Sequence, residues 1–203
     1  MTNKILLEDK AYTFRSYFKM RFSIVDILQE LGASFIKTAI VIPGAISIDS
    51  DRLELLSDRV KATAARVNLA SEAARREALI FPVLFEVAEL TGAQMEIEYA
   101  VDVSPYLRGE LDYLLRTSQN ALVVEAQNAD LVHGFTQLAA ELIAFDRWMD
   151  ATEPILYGAV TTGDIWQLES FDRTSRVITQ NIELYRVPTD LSILMSMMVA
   201  ILK

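Results

Sequence analysis

The sequence predicts an α/β fold, a three-layer arrangement in which helices flank a mixed β-sheet. Two observations carry this. From residue 71 onward the predicted elements run helix, three strands, helix, a strand pair, a further strand and a helix. Of the 203 residues, 52% are hydrophobic against seven glycines and five prolines, a composition suited to a packed, ordered core.

Taken in order, residues from about Glu8 to Leu31 read as helix, with Gly32 as C-cap. "TAIVIPGAISID" is β-rich and broken by Pro43-Gly44, which predicts a short strand or hairpin. From Asp51 a helical pattern runs to Leu90 as two helices. The second opens at Ser71, an N-cap with Glu72 in the first turn, and Pro82 inside it predicts a kink. "QMEIEYAVDV" alternates apolar and polar residues as a half-buried strand does. "RGELDYLLR" and "ALVVEAQ" are the next two strands, joined by the turn "TSQN". "GFTQLAAELIAFDRWMD" follows the 3.6-residue helical period. "ILYGAVTTG" and "DIWQLESFD" form a hairpin, "RVITQNIELYRV" a further strand, and "LSILMSMMVAIL" a final apolar helix. Residues 1–70 are expected to form a helical N-terminal extension and residues 71–203 the core domain.

The composition removes several function classes. There are no cysteines, so disulfides, thiolate metal sites and cysteine nucleophiles are excluded, and the single histidine, His133, rules out a multi-histidine metal site. The first twenty residues carry charges throughout and lack an apolar leader segment, so a cytoplasmic protein is expected. Leu191 to Leu202 is too short to cross a bilayer, and no membrane association is expected. That segment predicts a buried helix or a subunit contact, and with the N-terminal extension it motivates a homodimer. The net charge of −9 is uneven. Residues 1–71 hold ten Lys/Arg against eight Asp/Glu, giving +2; residues 72–203 hold nine against twenty, giving −11. Such a surface repels phosphate backbones unless a local basic face intervenes. The best local candidate is "FRSYFKMRF", where Arg15, Lys19 and Arg21 interleave with aromatics, although an amphipathic helix with a solvated basic face is the favoured reading. "VTTGDIW" lacks the lysine of a phosphate-binding loop and reads as a hairpin turn, and Trp148 and Trp166 as core or interface residues.

The two strands joined by "TSQN" end in acids, Asp112 and Glu125. Strands joined by a short turn lie side by side, so two carboxylates can converge at one sheet edge, where they repel unless a cation lies between them. Mg²⁺ suits hard oxygen ligands and could polarise a phosphodiester there. Side chains alternate along a strand, so Glu125 and Gln127 share one face.

Five stretches from Glu72 onward, in this order, resemble the PD-(D/E)XK nuclease superfamily, and within it a bacterial and cyanobacterial nuclease-like group. They are Glu77-Ala-Leu-Ile80-Phe-Pro82-Val-Leu84, Gly109-Glu-Leu-Asp112-Tyr113-Leu114, Val124-Glu125-Ala-Gln127-Asn128, Gly134-Phe-Thr-Gln137-Leu-Ala-Ala140-Glu141-Leu142 and Gly158-Ala-Val160-Thr161-Thr162-Gly163-Asp-Ile-Trp166. The resemblance covers about two thirds of the chain and leaves residues 1–70 outside. It implies a restriction-endonuclease-like core and Mg²⁺-dependent hydrolysis of DNA, with Mn²⁺ as a substitute ion. Asp112 and Glu125 resemble the two metal-binding acids, and the backbone carbonyl of Ala126 a further ligand. Glu77 resembles the acid of the first core helix, with Glu72 as second choice, and Gln137 a polar residue turned towards the site; an interior glutamine bonded to backbone is the other reading of Gln137. The departure is Gln127, which stands where the superfamily has lysine. A neutral amide can position a water but adds no positive charge to the transition state. No lysine occurs between Lys61 and Lys203, and Arg108 and Arg116 are the nearest cations in sequence to Asp112. The alternative implied is a catalytically inactive relative serving as a binding or dimeric assembly module.

Overall fold

A computed structural model of the chain describes residues 4–42, 44, 46–149 and 153–203. The elements are α1 (Phe14–Phe18), α2 (Ile24–Glu30), β1 (Ser34–Thr38), α3 (Ser50–Ala64) and α4 (Glu72–Arg75). A π-helical turn (Arg76–Ile80) joins α4 to α5 (Phe81–Thr91). Then come β2 (Gln94–Ser104), β3 (Leu107–Arg116), β4 (Ala121–Ala126), α6 (Leu131–Trp148), β5 (Ile155–Thr161), β6 (Ile165–Asp172), β7 (Val177–Asn181), β8 (Tyr185–Arg186) and α7 (Leu191–Leu202).

The eight strands make one mixed sheet in the order β1-β7-β6-β5-β4-β3-β2, with β8 also paired to β6. The pairs β1–β7 and β4–β5 are parallel and the others antiparallel. Parallel neighbours cannot be joined by a tight turn, and α6 makes the crossover from β4 to β5. Helices α1, α2 and α6 pack with Leu114, Val123 and Phe171 on one face of the sheet. Helices α3, α5 and α7 pack with Tyr113, Val124 and Leu168 on the other. Because side chains alternate, this division assigns each strand residue to a face. The expected α/β layering with a mixed sheet is present.

The N-terminal stretch departs from the expected extension. The predicted helix from Glu8 to Leu31 is two short helices, because Ser23 caps α2 by accepting from the Asp26 N–H at 3.2 Å. Phe14, Tyr17, Ile27 and Leu28 are buried in the same core as α6, and β1 is an edge strand of the sheet. Residues within the first 70 are therefore part of the core layers. The strand lies just before "TAIVIPGAISID"; the described residues of that stretch beyond Thr38 form no strand, and Ile40, Ile42, Ile46 and Ile48 pack on the α5–α7 side instead. The expected break at Pro43-Gly44 falls partly on Pro43, and the expected end of the α6 helix on Asp150, both outside the described residues.

Pro82 falls where the helical hydrogen-bond pattern changes. Proline has no N–H to offer a carbonyl one turn back, and it sits in the first turn of α5, after the π turn that has already widened the hydrogen-bond spacing. Helix α7 buries Leu191, Leu194, Met195, Met198, Val199, Ile201 and Leu202 within its own chain. The apolar segment that motivated a dimer is thus mostly covered without a second copy. Among the described residues no helix is long and apolar enough to cross a membrane.

Candidate functional site

Strands β3 and β4 pair from Arg116–Ala121 to Tyr113–Val124 and then part. At the point of divergence the carboxylate of Asp112 replaces the backbone partner: its Oδ2 accepts the N–H of Ala126 at 2.8 Å. Asp112 lies two residues before Leu114, and Glu125 two after Val123, so both acids belong to the face covered by α6. They open into a cleft of about 840 Å³ whose lining also includes Glu72, Arg76, Glu98, Gln127 and Gln137.

Two glutamines serve one acid. Gln127 Nε2 donates to Glu125 Oε1 at 2.8 Å, and Gln137 Nε2 donates to the same oxygen at 2.7 Å. Gln137 lies on α6 one turn before Glu141 and also donates to its Oε1, at 2.9 Å. Oε2 of Glu125 and Oε2 of Glu141 are buried and accept from no N–H or hydroxyl group; the two acids meet each other instead, a contact that a proton on one of them satisfies. A fourth acid on this face, Glu169 of β6, is fully buried with neither oxygen bonded.

Electrostatics follow from this crowding. Burial pushes the Asp112 carboxyl up, against the Ala126 N–H and the Arg76 charge, which favour its ionised form. Glu125 is pushed well above the ordinary carboxylate range by burial, and then by the charges of Glu141 and Asp112. Glu141 rises to about 8, chiefly through burial, and Glu169 rises well above its usual range through burial and Glu141. A desolvated group of like charges holds protons, or a cation, to remain buried.

The sequence-predicted residues divide clearly. Asp112, Glu125, Gln127 and Gln137 are brought together, and Glu72 and Arg108 line the cleft beside them. Glu77 does not line it: Glu72 and Glu77 are both exposed, but only Glu72, with the half-buried Arg76, stands at the cleft. Ala126 is buried, its contribution being the N–H to Asp112. Arg116 is drawn away to Glu96, 2.5 Å from its Nη2. Sequence reasoning missed Glu141, Arg76 and Glu98 as site residues. Glu141 and Arg76 each stand four residues after a candidate, Gln137 and Glu72, and that helical spacing was the available signal. Glu98 gave none. It sits opposite Asp112 on β2 in a left-handed backbone conformation, φ 56°, which a pattern of alternating residues does not reveal.

The wall across from β2 and β3 is α1, which contributes Arg15, Phe18 and Lys19. Helix α1 reaches β3 through Gly109, whose φ is 146°; a Cβ there would come within 2.8 Å of the Phe14 ring. His133 joins Asp130 at the N-terminus of α6, 2.6 Å from Nδ1 to Oδ2, and meets Phe18 edge-on. Thr162 to Asp164 form the β5–β6 hairpin turn within the expected stretch, and Trp166 is buried with Nε1 donating to the Gly163 carbonyl at 3.0 Å.

Among the described residues, no three acidic or imidazole side chains are grouped so as to hold a metal ion by themselves. The donor set still suits a hard cation bound as Mg²⁺ commonly is, through one or two carboxylates with waters and substrate oxygens completing the shell. The buried Oε2 of Glu125, which no N–H group serves and which stands against a second acid, is the observation in its favour. Comparison of the chain with protein-family models, curated proteins and solved structures returns no match.

Proposed function

We propose that this protein is a divalent-metal-dependent nuclease that hydrolyses phosphodiester bonds in DNA. The observation that carries the reading is the pairing of Asp112 with Glu125 on one face of a diverging strand pair, in the lining of an open cleft, with one buried Glu125 oxygen that no N–H group serves. Two carboxylates in such a place favour a cation between them. The resemblance to PD-(D/E)XK nucleases supports the same two residues as ligands of Mg²⁺ or Mn²⁺. When bound, the ion supplies positive charge for the phosphodiester and a more acidic water. The chain's own residues do the rest: Gln127 and Gln137 hold the Glu125 carboxylate in one orientation. The Ala126 N–H does the same for Asp112. Arg15, Lys19 and Arg108 give the acidic cleft a cationic margin for a phosphate backbone.

The test is cleavage of supercoiled plasmid and of labelled single- and double-stranded oligonucleotides with Mg²⁺ or Mn²⁺. Wild type should cut and Glu125→Ala should not. Activity that survives Glu125→Ala would place the chemistry elsewhere. A second reading, a binding module without catalysis, draws on the neutral Gln127 beside Glu125 and on the net charge of −9. It expects retention of oligonucleotide with no cleavage under any divalent ion.

A further inference from the structure

We infer that Arg76 is the cation of this site, placed to meet the phosphoryl oxygens of the bound strand in the role that Gln127, being neutral, leaves vacant. The inference rests on the nuclease reading and names a residue for it. Four observations carry it.

The guanidinium is in the cleft and largely sequestered: its side chain is 16% exposed and it lies beside Asp112, itself 18% exposed, with Nη1 3.5 Å from Oδ1. It is held from below rather than gripped. Its carbon sits 5.2 Å from the centre of the Tyr113 ring, a cation–π contact, and it interacts with the Tyr113 hydroxyl as well; of its five N–H groups some remain for another partner. Its acidic contacts are loose. Both run through Nη1, to Glu98 at 3.3 Å and to Asp112 at 3.5 Å, longer than the ~2.7–2.9 Å of a good charge-assisted hydrogen bond. A guanidinium so placed can turn from a carboxylate to a phosphoryl oxygen with little rearrangement. The backbone on both sides is unusual in a way that builds this arrangement. Arg76 opens a π-helical turn, and Glu98 adopts a left-handed conformation opposite Asp112.

The other cations near the acids are engaged differently. Arg75 bonds the Thr162 carbonyl and Asp164. Arg116 is held by Glu96 outside the cleft lining, and Arg108 pairs with Asp102 at 3.3 Å with nearly half of its side chain exposed. Arg15 and Lys19 are on the α1 wall, suited to flanking phosphates. Arg76 alone among these touches Asp112.

The experiment compares wild type, Arg76→Ala, Arg76→Lys and Glu125→Ala. A labelled phosphorothioate oligonucleotide, resistant to cleavage, is bound in EDTA and followed by anisotropy; cleavage of the ordinary oligonucleotide is followed with Mg²⁺ or Mn²⁺. Arg76→Ala should weaken binding about tenfold or more. It should also lower kcat by about 10²–10³-fold. Arg76→Lys should recover part of both, and tens of millimolar guanidinium should restore cleavage to Arg76→Ala without helping Glu125→Ala. Three results would overturn the assignment. Cutting and binding by Arg76→Ala at the wild-type level, with Glu125→Ala dead, removes Arg76 and leaves the nuclease reading standing. A loss matched by a lower melting temperature, and unrescued by guanidinium or by lysine, makes Arg76 a structural counterion. A wild type inert with every divalent ion removes the nuclease reading and the role of Arg76 with it.

Discussion

The side-chain amide of Gln127 donates to Oε1 of Glu125 at 2.8 Å, inside a space with no slack: a Cβ on the facing Gly134 would stand 2.6 Å from Gln127 Cγ. The amide therefore acts on the acid, orienting it, and is not turned to solvent. Gln127→Lys should place an ammonium in hydrogen-bonding reach of the same oxygen, lower the pKa of Glu125, and leave cleavage unchanged or faster. Gln127→Leu removes a donor from a buried carboxylate at a cost of about 1–3 kcal/mol and should reduce cleavage. Denaturant unfolding and initial cleavage rates measure both; a slower Gln127→Lys enzyme would count against this role for the residue.

Stability should depend on pH in an uncommon direction. Acids whose folded pKa lies above the unfolded value prefer to stay protonated. The stability they permit is complete below about 4.5 and is lost as pH climbs towards about 8, the range set by Glu141. In EDTA the melting temperature should fall from pH 5 to pH 8. Mg²⁺ or Mn²⁺ should raise it more at pH 8 than at pH 5, because the ligands must lose their protons to bind. Asp112→Asn should abolish the metal-dependent part and leave most of the slope in EDTA. A flat profile in EDTA would refute the buried-acid account.

Glu169 gives a separate test away from the cleft. It is fully buried with both oxygens unbonded and does not line the site. Replacing a buried acid by an apolar side chain of similar size removes a desolvation penalty. Glu169→Leu should be stabilising by about 1–4 kcal/mol at pH 8, with a smaller gain at pH 5. Destabilisation at pH 8 would point to a partner that Glu169 serves.

Much of this was legible beforehand because it rests on periodicity. The alternation of "ALVVEAQ" assigned Glu125 and Gln127 to one face, and the 3.6-residue period of α6 carried Gln137 over them. What periodicity cannot show is register across a widening strand pair, so the bond between Asp112 and the Ala126 N–H was not foreseen. Nor does it show a π turn, which changes the facing of every residue after it, so the choice of Glu77 ahead of Glu72, which the family resemblance implies, has no check in periodicity. The N-terminal layer was hidden for another reason. Phe14, Tyr17, Ile27 and Leu28 make contacts more than 80 residues away in sequence, such as the Tyr17 hydroxyl on the Tyr106 carbonyl at 2.7 Å.

That layer should matter to the site. Gly109→Val would force its side chain into Phe14, in a backbone conformation that valine rarely adopts. The expected result is displacement of α1, with Arg15 and Lys19 carried away from the cleft. Oligonucleotide affinity at low salt should fall, and the salt dependence of binding should become shallower. Anisotropy titrations at 50 and 200 mM salt measure this; unchanged affinity would mean that α1 is no part of the binding wall.

The two acids on the first core helix supply the sharpest comparison. Glu72 lies one helical turn before Arg76 and lines the cleft, and its charge bears on both Asp112 and Glu125. Glu77 follows the opening of the π turn and is exposed outside the cleft lining. Both side chains are exposed, so position decides: an acid at the cleft can share in holding the ion or its waters, whereas one outside it cannot. Glu72→Gln should therefore lower the apparent affinity for Mg²⁺ or Mn²⁺ in cleavage about tenfold or more, while Glu77→Gln leaves it within about twofold, since surface substitutions seldom matter. Metal titrations of cleavage rate at fixed oligonucleotide decide between them. If Glu77→Gln loses activity and Glu72→Gln does not, the facing assigned to the π turn is wrong and the site is built from the other side of the helix.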